Sequence, residues 1–115
     1  MIELTVLNFL KSQNIGGVGE SVFMEKPQKQ DLEEFILIEK TGSEKVNHIN
    51  RATIAIQSWS SSMYNAAKLN EEVKDAMEKI IEYTEISKCS LNSDYNFTDT
   101  KTKSYRYQAV FDLVF

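Results

Sequence analysis

The sequence is poor in the residue types that enzymes most often use for catalysis. Its 115 residues include one cysteine, one histidine, one proline and four glycines. Cys89 has no partner for an internal disulfide, so we expect the chain to be made in a reducing cytoplasm. A nucleophilic Cys–His pair would have to combine Cys89 with His48, and nothing in the sequence pattern supports it. We therefore interpret Cys89 as a small core residue and His48 as a solvated loop residue.

The charge balance and the hydropathy pattern exclude further classes of protein. Thirteen basic residues against 17 acidic ones give a net charge of −4, without the basic footprint of a nucleic-acid-binding protein. No apolar run approaches the ~20 residues that span a bilayer. Residues 1–10 include Glu3 and lack the basic start of a signal peptide. We expect one soluble domain, residues 1–115, with no metal or cofactor.

Hydrophobic periodicity predicts seven elements in the order α-β-β-β-α-β-β. This order is typical of an α+β fold, a mainly antiparallel sheet of about five strands packed against one long and one short helix. The predicted helices are residues 1–12 and 63 to about 83, and the predicted strands are 18–25, 35–40, 52–59, 86–92 and 105–115. The segments 27–33, 41–51 and 93–104 are polar, and we expect them to be loops.

The long helix has the clearest pattern. Serines 60–62 are candidate N-caps, and no glycine or proline interrupts residues 63–83. Its apolar stripe consists of Ala66, Leu69, Val73, Ala76, Met77 and Ile80. The carboxylates on its other sides form a solvated face, and a second interpretation places them in the bore of a ring.

Alternation along residues 105–115 predicts a strand with one face on the core and one facing water or a partner. Lys101, Lys103 and Arg106 lie close to its aromatic residues. Interleaved bases and aromatic residues can bind single-stranded nucleic acid, but the net negative charge argues against this. A core face with a subunit contact is the better interpretation.

Three segments together resemble a known family. They are residues 35–39 (FILIE), 55–64 (AIQSWSSSMY) and 94–114 (DYNFTDTKTKSYRYQAVFDLV). With the order of elements, they resemble the small tail-terminator, or head-to-tail joining, proteins of long-tailed bacteriophages and of prophages of Gram-positive hosts.

The resemblance implies a structural role in the virion, without catalytic residues or cofactors. The family forms a hexameric ring at the head-proximal end of the tail tube, stops tube polymerisation and presents a docking surface to the head connector. DNA would pass through the ring without specific binding, and a net charge of −4 suits such a passage. Two alternatives remain: a neck or head-completion protein of the same joint, and a small cytoplasmic enzyme or binding domain.

The polar segments are the candidates for contacts with other subunits or with the tube. An eleven-residue loop is long for a small domain unless a partner uses it. From segment 41–51 we select four residues, and from 93–104 three more. The candidates are Glu44, Lys45, His48, Arg51, Asp99, Lys101 and Lys103.

Overall fold

The computed structural model describes residues 1–16, 18–27 and 33–115. The elements in chain order are α1 (Ile2–Ser12), β1 (Val22–Phe23), β2 (Phe35–Val46), β3 (Ile49–Ser60), α2 (Met63–Met77), a 3₁₀ helix (Ile80–Glu82), β4 (Lys88–Asn96) and β5 (Tyr105–Val114). The strands form one sheet in the order β1-β2-β3-β5-β4. Only the β1–β2 pair among these is parallel. The predicted α+β class and element order are therefore confirmed.

Side chains of the central strand β3 alternate between two environments. Ile54 and Ile56 point toward the two helices and are completely buried in the core cluster. Ala55, Gln57 and Trp59 point to the opposite side, which we call the open face because neither helix packs on it. This alternation agrees with the predicted strand over residues 52–59, since β-strand side chains have a period of two.

Both helices pack on the core face through one apolar stripe each. On α1 the buried residues Ile2, Val6, Leu7, Phe9 and Leu10 recur at helical spacing. On α2 all five predicted stripe residues up to Met77 are buried, and Ile80 follows them into the core from the 3₁₀ helix. Removing each of the larger side chains, those of Val, Leu, Ile, Met and Phe, from water contributes about 1.5–3 kcal/mol, which holds the helices to the sheet.

The helix ends follow local chemistry, with one correction. Ser62 caps α2, because its hydroxyl accepts from the Asn65 backbone N–H at 3.1 Å. The predicted helix to about residue 83 is too long. The α-helix stops at Met77, and the chain tightens into a 3₁₀ turn in which Tyr83 N–H donates to the Ile80 carbonyl at 3.0 Å. The run Ile80–Ile81 is β-branched, which weakens helix propagation there.

The prediction of a loop over residues 41–51 is wrong. Strands β2 and β3 continue through this segment as a hairpin, with register pairs from Gly42↔Thr53 to Val46↔Ile49. The turn contains only Asn47 and His48, at φ 51° and 66°. Positive φ at both central residues is what a type I′ turn requires. Backbone hydrogen bonds form a ladder regardless of side-chain polarity, so the polar composition concealed the strands.

Two other strands have different lengths from those predicted. β1 has only Val22 and Phe23, because the turns before it include Val18 N–H donating to Ile15 O at 3.0 Å and Ser21 N–H donating to Val18 O at 2.9 Å. β4 runs from Lys88 to Asn96, so the predicted loop 93–104 is wrong for residues 93–96, which are strand residues paired with β5. The predicted loop 27–33 lies mostly outside the described residues.

Candidate functional site

The outer part of the β2–β3 hairpin, residues 41–51, forms an exposed two-stranded arm. All its residues are exposed except Asn50, which is half-buried. On the β3 side, pairing with β5 stops at Arg51↔Val114, with one further bond from Phe115 N–H to the Asn50 carbonyl at 3.0 Å. The arm therefore lies beyond the last register pair of β3 and β5, and the residues on both of its faces are exposed.

At the tip of the arm, apolar residues lie directly before and after the turn. Val46 and Ile49 are directly opposite each other, and 52% and 43% of their surfaces are exposed. His48 lies beside them in the turn and is exposed. Exposed β-branched residues at the end of a polar arm are suited to burial against another chain.

The pairing of β2 with β3 decides which face of the arm each charged residue occupies. Glu44 faces Arg51, and Lys45 faces Asn50. Four predicted site residues, those of segment 41–51, are thus brought together on one hairpin. The register places Glu44 and Arg51 on the open face, because both alternate in phase with Thr53.

A shallow groove of about 530 Å³ lies at the base of the arm. Its polar lining includes Glu44, Arg51, Lys88 and Asp112. The Asp112 carboxylate is fixed there, because it accepts from Thr53 Oγ1 and from Asn92 Nδ2, each at 3.0 Å. Charges of both signs in one open groove suit polar contact with a protein surface.

The second group of predicted residues lies at the other end of the sheet. Ser60 of β3 pairs with Tyr105 of β5, whereas the arm begins at the opposite end of β3. A bridge between Asp99 and Ser104 closes the turn that contains Lys101 and Lys103. The two groups of predicted contact residues are therefore separated by the length of a twelve-residue strand, about 35–40 Å.

Hydrogen bonds organise this turn around Asp99. The Lys101 backbone N–H donates to its carboxylate at 3.0 Å, and Thr102 also bonds to it, which lowers the pKa of Asp99. Lys103 adopts a positive φ of 53°. Lys101 and Lys103 are exposed, so the turn presents two cations to solvent.

Sequence reasoning missed a group of residues on the open face around Trp59. The Arg106 guanidinium lies between the aromatic rings of Trp59 and Phe97, 4.6 and 4.7 Å from their centroids. Phe35 stacks on Trp59 with centroids 5.1 Å apart. The alternation of β3 and β5 places Trp59 and Arg106 on the same face, but their pairing depends on strand register, which the sequence did not provide.

A chain of amides supports this group. Trp59 Nε1 donates to Gln57 Oε1 at 3.0 Å, and Gln57 Nε2 donates to Gln108 Oε1 at 2.9 Å. Gln108 Nε2 then donates to the Tyr95 hydroxyl. Because every amide in this buried chain has a partner, it fixes the orientation of Trp59 on the open face.

The groups that could perform chemistry are dispersed. Within 1–16, 18–27 and 33–115, no three His, Cys, Asp or Glu side chains are grouped to hold a metal ion. Burial, together with the negative charge of Asp112, raises the pKa of the Cys89 thiol from 9.0 to about 11, which favours its unreactive protonated form. Across the same residues, none of the helices has the length and apolar character needed to cross a membrane.

The sequence matches no protein-family model and no curated protein.

Proposed function

We propose that this chain is a virion structural protein that caps the tail tube of a long-tailed bacteriophage. In this role it stops tube polymerisation and provides the docking surface for the head connector. Six copies form a ring that contacts the tail tube protein on one side and connector or neck proteins on the other. The protein is made in the bacterial cytoplasm and resides at the head-proximal end of the tail.

The arm is the observation that carries this proposal. It exposes Val46 and Ile49 at its tip and the charged pair Glu44 and Arg51 along its length. A protein whose task is to hold neighbouring subunits needs such a projection, because the chain, arm included, has a radius of gyration of only 13.9 Å. A domain of this size caps a tube only as part of a closed oligomer.

Charge and chemistry support the same role. A net charge of −4 per chain disfavours attachment to a DNA phosphate backbone, so DNA moves through the ring without binding. The resemblance of residues 35–39, 55–64 and 94–114 to tail-terminator proteins gives the proposal its specific form.

Deleting the gene from its phage and imaging lysates by electron microscopy tests the proposal. We expect overlong tails without heads, and tails of normal length when the wild-type gene is supplied in trans. Tails of normal length beside leaking heads would favour the neck or head-completion alternative. Unaltered particles would contradict both structural roles and favour an enzyme or binding domain.

A further inference from the structure

The open face near Trp59 carries two cations that form no ion pair with a carboxylate among the described residues, and Arg106 acts on Asp99 only through its charge, which helps to lower the pKa of that carboxyl. Arg106 lies between Trp59 and Phe97, and Lys26 Nζ lies 5.1 Å from the centroid of the Trp59 ring. The ion pairs found among the described residues are formed by two other cations, Lys40 and Lys74. We call Lys26, Trp59, Phe97 and Arg106 the cation–aromatic patch.

The geometry of the patch leaves its charge available. Arg106 uses Nε to donate to the Phe97 carbonyl at 2.8 Å, which holds the guanidinium flat between two aromatic rings. The two terminal nitrogens of a guanidinium form the fork that binds a carboxylate in bidentate geometry. Arginine is among the residues most enriched at energetic hot spots of interfaces, and Trp59, which is only 8% exposed, is the buried ring on which the two cations rest. This patch is therefore suited to an acidic protein surface.

A surface whose negative charge complements the cation–aromatic patch lies on the opposite side of the same chain. Helix α2 packs on the core face of the sheet, so its solvent-facing stripe points away from Trp59. Glu71 and Asp75 on that stripe and Glu78 at the end of the helix are exposed, and two further exposed carboxylates follow. Glu71 is paired with Lys74 at 2.8 Å and Lys79 is exposed beside Glu78, so the carboxylates outnumber the cations on this side. The complete set, which we call the acidic stripe, is Glu71, Asp75, Glu78, Glu82 and Glu85.

Exposed apolar side chains lie near both ends of the acidic stripe. Tyr64 precedes it, with 74% of its surface exposed, and Ile81 lies within its far end, with 55% exposed. Tyr64 and Glu71 share one side of the helix, because a spacing of seven residues is close to two turns. A protein interface combines apolar area with a polar rim, and Tyr64 and Ile81 supply apolar area beside the carboxylates.

We propose that the cation–aromatic patch of one copy binds the acidic stripe of a second copy. The two surfaces differ and lie on opposite sides of the chain, so the contact is head-to-tail. A contact of this type closes into a ring when the rotation between copies allows it. The inference rests on the proposed function, because it adds a second contact between neighbouring subunits of the ring to the one that the arm makes.

Charge reversal tests the contact in the full-length chain. One variant is Lys26→Glu, whose side chain is exposed, and a second is Arg106→Glu, checked for folding by circular dichroism. The complementary variant is D75K/E78K on the acidic stripe. Sedimentation velocity at low salt measures association. We expect each variant alone to associate at least ten times more weakly than the wild type.

Mixing the variants gives the decisive result. Lys26→Glu alters only the patch, and D75K/E78K alters only the stripe. In a mixture, the acidic patch of the first variant meets the basic stripe of the second, and the unaltered patch of the second meets the unaltered stripe of the first. We expect an equimolar mixture to recover oligomers with alternating subunits. Glu20→Lys, a reversal outside both surfaces, is the matched control and should assemble like the wild type. Raising the salt to about 0.5 M should weaken assembly of the wild type, because the Debye length falls to a few ångströms.

Three results would overturn this contact. Wild-type assembly by the variants alone would show that these charges lie outside the interface. Intact D75K/E78K oligomers that newly retain duplex DNA would place the acidic stripe in the bore instead. A wild-type chain that stays monomeric at every concentration would exclude self-association through this contact, while the tail phenotype of the gene deletion would still decide the proposed function independently.

Discussion

Val46 and Ile49 face each other across the turn of the β2–β3 hairpin, and about half of each side chain is exposed. Neither belongs to the core cluster that joins the sheet to the helices. A two-stranded ribbon outside a sheet is marginally stable by itself, and apolar side chains that remain exposed at its end add little to its stability. The pair is therefore better explained by a contact with another chain than by the stability of the monomer.

The double variant V46T/I49T should weaken assembly without affecting the monomer fold. Threonine keeps the β-branch that suits a strand, but it replaces an apolar group by a hydroxyl. Burial of a valine or isoleucine is worth about 1.5–3 kcal/mol, so an association constant at least tenfold lower is expected. The unfolding free energy should change by less than about 0.5 kcal/mol, since both positions are exposed.

Sedimentation velocity and urea denaturation of the same preparations check this prediction. Lys45→Thr is the control, because it alters the adjacent arm position without removing apolar surface. Equal association of V46T/I49T and the wild type would exclude the tip from the interface.

His48→Gly should stabilise the arm. His48 has φ 66°, a left-handed conformation that glycine adopts without the steric cost of a Cβ. Asn-Gly is also the preferred pair for a two-residue type I′ turn. We expect the opening free energy of the arm to rise by about 0.5–1 kcal/mol, which corresponds to amide exchange about 2–5 times slower.

Hydrogen exchange followed by NMR or mass spectrometry over residues 43–50 measures this change. His48→Val is the opposite control, because a β-branched residue at positive φ is strongly disfavoured, and it should accelerate exchange. Exchange that is unchanged by both substitutions would show that the turn does not limit opening of the arm.

Asp94 of β4 should contribute more to stability than the exposure of this residue suggests. It accepts from Asn70 Nδ2 at 3.1 Å and forms an ion pair with Lys74 at 2.9 Å, both on α2. Asn70 is 1% exposed, so Asp94→Ala leaves a buried amide without a partner. We expect a loss of about 1–3 kcal/mol in the unfolding free energy.

Urea unfolding of matched variants separates this hydrogen bond from simple charge. Asp94→Asn retains an acceptor for Asn70 and should lose less than Asp94→Ala. Glu71→Ala removes the other carboxylate that Lys74 contacts, at 2.8 Å, but Glu71 is exposed and should cost less than about 1 kcal/mol. Equal losses for Asp94→Ala and Glu71→Ala would contradict a special role of the bond to Asn70.

The spacing of hydrophobic residues predicted the helices and strands that bury one regular face. It did not predict the polar strands of the arm, which are held together by backbone hydrogen bonds. The stripe of α2 and the alternation of Ile54, Ala55 and Ile56 follow from hydrophobic side chains, so the sequence was sufficient. The arm is stabilised by backbone pairing around Asn47 and His48, a turn pair without the glycine that usually marks a hairpin. Its polar strands consequently resembled a loop.

The candidate site was predictable only within single segments. Glu44, Lys45, His48 and Arg51 are neighbours in sequence, and their shared location on one hairpin follows from that proximity. Trp59 and Arg106 are 47 positions apart, and they meet because β3 and β5 pair with Trp59 opposite Arg106. Register between distant strands depends on the whole sheet, which local patterns do not specify.

The Cys89 thiol should react slowly with a disulfide reagent such as 5,5′-dithiobis(2-nitrobenzoate). Burial and the nearby Asp112 raise the pKa of this thiol to about 11, so at pH 8 the folded chain holds about 100 times less thiolate than an ordinary cysteine with pKa 9.0. A thiolate of higher pKa is intrinsically more nucleophilic, which recovers about one factor of ten. We therefore expect a reaction at least about tenfold slower in buffer than in urea. Asp112→Asn removes the negative charge, so the pKa of Cys89 should fall and the thiol of the folded chain should react faster. Equal rates for the folded and the unfolded wild type would contradict the prediction, because they would show that the half-buried thiol ionises freely.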